Sequence, residues 1–111
     1  MRLWTAQYRY SGPYRLDITV KGQDPAGKAF APTWDLVMGY KRNKDDQAYI
    51  AGYHQLMLAS YNNHRSIWED ILSRDQVVMV CFCKAFTFCH RYLMADYLQK
   101  LGAKYVGELS L

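Results

Sequence analysis

Cys81, Cys83, Cys89, His90 and Arg91 fall within one short stretch, and together they could do three kinds of chemistry. The first is nucleophilic. Cys89 or Cys83 would act as a thiolate, with His90 or Arg91 beside it and a helix dipole lowering the thiol pKa. Cys89 would stand in the first turn of a helix, where bare N–H groups favour a thiolate or a bound phosphate or carboxylate. Arg91 could fork onto such an anion. The spacing differs from that of the cysteine phosphatase loop, since seven residues lie between Cys83 and Arg91 and one between Cys89 and Arg91.

The second kind is metal binding. Cys81, Cys83, Cys89 and His90 offer four ligand atoms of the type zinc prefers, although a Cys-x-Cys pair on a strand followed by adjacent Cys-His matches no common zinc-knuckle spacing. The third is structural: Cys81 as a small buried hydrophobe, Cys83 and Cys89 as packing at a tight turn, and His90 bonded to backbone. Packing alone accounts less well for Arg91. All three cysteines are clustered and odd in number, so they cannot staple distant parts of the chain and are read as reduced thiols.

These residues must be positioned by the elements on either side. Val77 to Phe82 is apolar on both faces and bounded by charge, as a doubly buried strand in an α/β sheet would be. His90, Leu93, Met94, Tyr97, Leu98 and Leu101 then make one face of a helix, with Thr87 as its cap and Gly102 as its end. Tyr105 to Leu109 reads as a last strand. The second half thus alternates strand and helix, which implies parallel pairing and right-handed crossovers. A ligand would bind where the buried strand passes into that helix.

In the first half, Arg2 to Tyr10 reads as a strand, and Tyr14 to Lys21 alternates between a core face (Tyr14, Leu16, Ile18, Val20) and a wet face (Arg15, Asp17, Thr19, Lys21). Ser11-Gly12-Pro13 is a turn signal whose shortness favours an antiparallel hairpin, so the direction of the first strand stays open. Gly22 to Lys28 fits most of a phosphate-cradling pattern. It fails at its end, where Ala29 replaces the hydroxyl residue and Pro32 interrupts the helix, so an ordinary surface turn is expected. Lys21 and Lys28 remain basic side chains that an anion could use. Pro32 suits the start of a short helix ending near Gly39 or Lys41, and Asn43 or Asp45 could cap the next. That long helix carries Ile50, Tyr53, Met57, Tyr61, Trp68 and Ile71 on one stripe and bends or splits near His64, with His54 and His64 at the surface or in packing.

The chain has 111 residues, half of them hydrophobic, which is the size of one domain able to bury a core. Its net charge of +4 is scattered, which allows a phosphate-bearing partner or nucleic acid without indicating either. No export signal or membrane-length apolar run is present, so a cytoplasmic protein with no membrane partner is expected. No cofactor is called for. The expected fold is a small single-domain α/β protein with a mainly parallel sheet of about four strands and helices packed on it.

Val78-Met79-Val80-Cys81-Phe82-Cys83, followed by Cys89-His90-Arg91-Tyr92-Leu93-Met94-Ala95, resembles the signature of the domain-of-unknown-function 488 family. Ala31-Pro32-Thr33 before a Tyr-rich helix is similar to the middle of its short phage and bacterial members. The resemblance implies a compact, mainly parallel α/β domain with a site at the strand ends, in which Asp17 takes the place of the family's Asp at the end of the second strand. Longer members carry a helix between the first two strands, and Ser11-Gly12-Pro13 leaves no room for one. The resemblance carries no activity. The functional expectation is a pocket for a phosphorylated or nucleotide-like ligand, with Cys89 as nucleophile or anion contact, His90 as acid or base, Arg91 as anion clamp, Asp17 as orienting partner, and Cys83, Lys21 and Lys28 as further contacts. The alternative is an interaction module for protein or nucleic acid with the Cys/His cluster structural or zinc-bound.

Overall fold

The computed structural model describes residues 1–83 and 87–111. Lys84, Ala85 and Phe86, within the loop after the buried strand, lie outside the described residues. The strands are β1 (Arg2–Gln7), β2 (Arg15–Asp17), β3 (Gln76–Cys81) and β4 (Lys104–Glu108), and the helices are α1 (Pro25–Lys28), α2 (Trp34–Asn43), α3 (Asp46–Asn63), α4 (Arg65–Ser73) and α5 (His90–Lys100). The sheet runs β2-β3-β1-β4 and is parallel throughout. The expected α/β fold is therefore observed, and the first strand is parallel to the rest.

The hairpin suggested by Ser11-Gly12-Pro13 does not form, because β3 lies between β1 and β2 and pairs with both. The connections from β2 to β3 and from β3 to β4 step the same way across the sheet, so right-handed crossovers place their helices on one face. The step from β1 to β2 goes the other way and must cross the opposite face. Side chains agree: Leu3, Leu16, Val77, Met79 and Cys81 face the helical core, whereas Tyr10 from the crossing segment packs on Ala6, Val78 and Val80. These small residues let a short segment pass close over the sheet. Arg15 holds it there by donating to the carbonyls of Tyr10 (2.7 Å) and Tyr8 (2.9 Å).

Several expectations are corrected. Strand β2 ends at Asp17, where Thr19 N–H donates to Asp17 Oδ1 (2.9 Å) and turns the chain. Thr19, expected on the wet face, is therefore buried, and Tyr14, expected in the core, is exposed at φ +65°. The turn at 22–28 contains the one-turn helix α1, capped by Asp24. Helix α2 runs on to Asn43 because Lys44 takes a left-handed conformation (φ +51°) beyond it. On α5 the buried stripe is rotated: Arg91 and Ala95 are inside and Leu101 is exposed. The long helix splits at His64 into α3 and α4, as its sequence suggests, and Asp45 caps α3.

One irregularity in the sheet bears on the site. Strand β4 bulges between its pairings Leu3↔Tyr105 and Trp4↔Gly107, at a backbone position (Gly107, φ +142°) that favours glycine. The extra residue resets the alternation, so that Tyr105 and Glu108, three apart, both meet the helical face opposite Leu3 and Thr5. Without it Glu108 would point away.

Candidate functional site: a cleft at the strand ends

The carboxyl ends of β2 and β3 and the start of α5 enclose a cleft of about 510 Å³, with α2 and the first turns of α3 as its outer wall. Cys81, Cys83, Cys89 and His90 line its floor. Trp34, Tyr40, Tyr49 and Phe88 form aromatic walls, with Tyr40 stacked on Phe88 at 5.0 Å and Tyr49 edge-on to it at 5.3 Å. Lys21, Lys41 and Lys44 supply its positive charge. Lys21 Nζ lies 5.7 Å from the Trp34 ring and Lys44 Nζ 5.5 Å from that of Tyr40, which holds cations over π faces at the rim.

Cys89, not Thr87, is the N-cap residue of α5, and its side chain makes no capping bond. A thiol is a poor substitute for a capping oxygen. Thr19 also lines the cleft and is 2% exposed, yet its hydroxyl has no hydrogen-bond partner among the described residues. Buried hydroxyls rarely stay unpaired without a reason.

Arg91 is fully buried and points inward. Its guanidinium forks onto Glu108, with Nη2 to Oε2 at 2.8 Å and Nε to Oε1 at 3.2 Å, while Nη1 reaches Cys81 Sγ (2.9 Å), the Cys83 carbonyl (3.0 Å) and Cys89 Sγ (3.6 Å). The anion this arginine grips is thus the carboxylate delivered by the β4 bulge. Burial pushes the Glu108 carboxyl up, but hydrogen bonds from Arg91 and Thr5 outweigh it and hold the group below its usual range.

His90 is buried beside the cysteines. Its Nε2 lies 2.8 Å from the Ile18 carbonyl and must carry the proton to bond there, which leaves Nδ1 as an acceptor facing Cys89 Sγ at 3.8 Å. Burial lowers the His90 pKa to about 4, with the Arg91 charge acting the same way and the Ile18 bond and Asp17 opposing, so the ring is neutral. Burial raises the Cys83 thiol, and Arg91 opposes that only in part. The sulfurs of Cys81, Cys83 and Cys89 all lie within 4.8 Å of one another. Those of Cys81 and Cys89 touch, but their Cα atoms stand 8.0 Å apart, wider than the roughly 4.4–6.8 Å that a disulfide spans. They are converging thiols.

The structure brings Cys83, Cys89, His90 and Lys21 to one cavity and places Arg91 beneath it. It does not bring Asp17 or Lys28 there. Asp17 closes the Thr19 turn and reaches His90 only through its field, while Lys28 Nζ donates to the Val20 carbonyl (3.0 Å). Sequence reasoning missed Thr19, Lys41, Lys44, Trp34 and Glu108. Lys41 and Lys44 were visible as part of a charged loop, and Trp34 as an aromatic after Pro32, but nothing local tied them to the cysteines.

An all-parallel sheet with a basic, aromatic cleft at its carboxyl edge defines a parallel α/β protein. More particularly, the chain belongs to the DUF488 family: residues 1–102 match the family model described as the active DUF488-N3 subclade, DUF488-N3a. No curated protein and no solved structure matches the chain. Among the described residues no helix is long and apolar enough to cross a membrane.

Proposed function

We propose that the cleft binds a small phosphorylated, nucleotide-like ligand, with its anionic group over Cys89 and His90 at the first turn of α5 and its planar part between the aromatic walls. The observation that carries this reading is the Thr19 hydroxyl, buried and unpartnered in a cavity that also holds three lysines. A phosphate or ribose oxygen would satisfy it, and Lys21, Lys41 and Lys44 would balance the charge. Trp34, Tyr40 and Phe88 offer the flat faces on which a base stacks. Lys21 is a ligand contact in this reading, whereas Arg91 and Glu108 are the frame that holds the floor.

Thermal shift with a panel of nucleotides and sugar phosphates tests it. At least one compound should raise the melting temperature of the wild type, because a ligand that binds only the native state stabilises it by mass action. The shift should vanish in Lys41→Ala/Lys44→Ala and survive in Lys28→Ala. If no compound stabilises the wild type more than the double variant, the reading is wrong.

A further inference from the structure

We propose that Cys81, Cys83 and Cys89 bind a thiophilic divalent cation of the zinc class at the floor of the cleft. The site shares the cavity of the proposed ligand but does not depend on that ligand.

Sulfur geometry carries the inference. Three thiolates each about 2.3 Å from one ion lie roughly 3.8 Å apart; the three sulfurs converge within 4.8 Å of one another, and Cys81 and Cys89, which touch, must part for an ion to enter. A disulfide is the usual reason for two cysteine sulfurs to point at each other, and the 8.0 Å between the Cα atoms of Cys81 and Cys89 argues against one. Packing explains a buried Cys81 but not why half-buried Cys83, two residues on, turns its sulfur to the same point.

His90 is a second, independent observation. Its Nε2–H is committed to the Ile18 carbonyl and its Nδ1 lone pair faces Cys89 Sγ at 3.8 Å, which is how ligating histidines are usually oriented by an outer partner. Since all three cysteines line the cleft, the fourth coordination position opens toward it. On binding, the three thiols release their protons to solvent and the cation takes three thiolates, leaving one net negative charge. Arg91 Nη1, at 2.9 Å from Cys81 Sγ and 3.6 Å from Cys89 Sγ, is placed to offset it.

Protein purified without chelator should carry about one zinc per chain. After exchange with cobalt(II) it should show a thiolate-to-cobalt charge-transfer band and the visible bands of tetrahedral cobalt. Cys83→Ser, at the half-buried position, should fold and lose more than roughly 100-fold in metal affinity, beyond what changes to outer partners cost. Three outcomes would overturn the proposal: no metal retained and no cobalt–thiolate band after reconstitution, with three thiols that alkylate freely in the native protein; a Cys81–Cys89 cross-link in non-reduced peptide mass spectra; or undiminished metal binding by Cys83→Ser. The nucleotide panel repeated on zinc-stripped protein separates the two readings, since ligand binding there would survive a failure of the metal site.

Discussion

The two strand-to-helix junctions of neighbouring strands, β2 into α1 and β3 into α5, make opposite use of similar materials. After β2, Asp17 accepts from Thr19 N, Asp24 accepts from Ala26 N, and Lys28 donates to the Val20 carbonyl. Gly27 presses so closely on strand β2 that a Cβ there would stand 1.9 Å from the Asp17 carbonyl oxygen. Apart from Lys21, which reaches over Trp34 to the cleft, every charged group at this turn serves the turn itself. After β3, the cap residue makes no side-chain capping bond, a nearby hydroxyl is unpartnered, and lysines from other elements face an open cavity. A glycine- and lysine-containing loop is thus no guide to an anion site unless its polar groups are left over once the fold has used what it needs.

The contrast can be broken most forcefully at the frame of the second junction. Glu108→Ala leaves the guanidinium of Arg91 buried without its carboxylate; the side chains of the pair are 0% and 3% exposed. It should cost about 3–5 kcal/mol in urea unfolding. An unchanged midpoint would show that Arg91 is not held as described.

Acid should act at the same place. The folded-state pKa of His90, lowered to about 4, lies below the ordinary 6.5, so between those values the unfolded chain binds more protons than the native one. The stability contributed by a neutral His90 is complete above 6.5 and is lost as pH falls toward 4, by roughly 3 kcal/mol in all. Urea midpoints at a series of pH values should slope down through this window, and His90→Gln should flatten the slope. Equal slopes in the two proteins would assign the acid sensitivity elsewhere.

The first junction should yield to a single methyl. Gly27→Ala must displace backbone, for an expected loss of about 1–3 kcal/mol. The smallest change sharpens the contrast: Thr19→Val removes an unsatisfied hydroxyl at nearly constant shape and should stabilise the free protein by about 1 kcal/mol. The same variant should respond less to any compound that binds the wild type. Destabilisation instead would mean that the hydroxyl already has a partner.

Much of the α/β architecture was legible in the chain. The doubly apolar run of β3, the helical stripe broken at His64, and the terminal strand each follow from local periodicity, and Cys89 and His90 of the Cys-His-Arg block border the cleft. What was not legible depends on partners distant in sequence. The link at 11–13 looks like a hairpin because turn residues report local curvature, while the choice of parallel pairing lies with β3. Thr19 reads as wet only if β2 continues, and its early end is set by the Asp17 side chain. Glu108 was hidden for a subtler reason: strict alternation within β4 puts it on the far face from Tyr105, and only the bulge at Gly107 brings the two together. Arg91, expected to meet a ligand, meets that carboxylate.

The sheet order also bears on how the molecule comes to be. No strand pairs with one close to it in the chain: Arg2 waits for Gln76 and Lys104, and Arg15 for Val78. Contacts of such long range close large loops before they return any stabilisation, which slows folding. The first two strands therefore stay without partners until β3 has been made, and the search for the native state should begin in the helices between them.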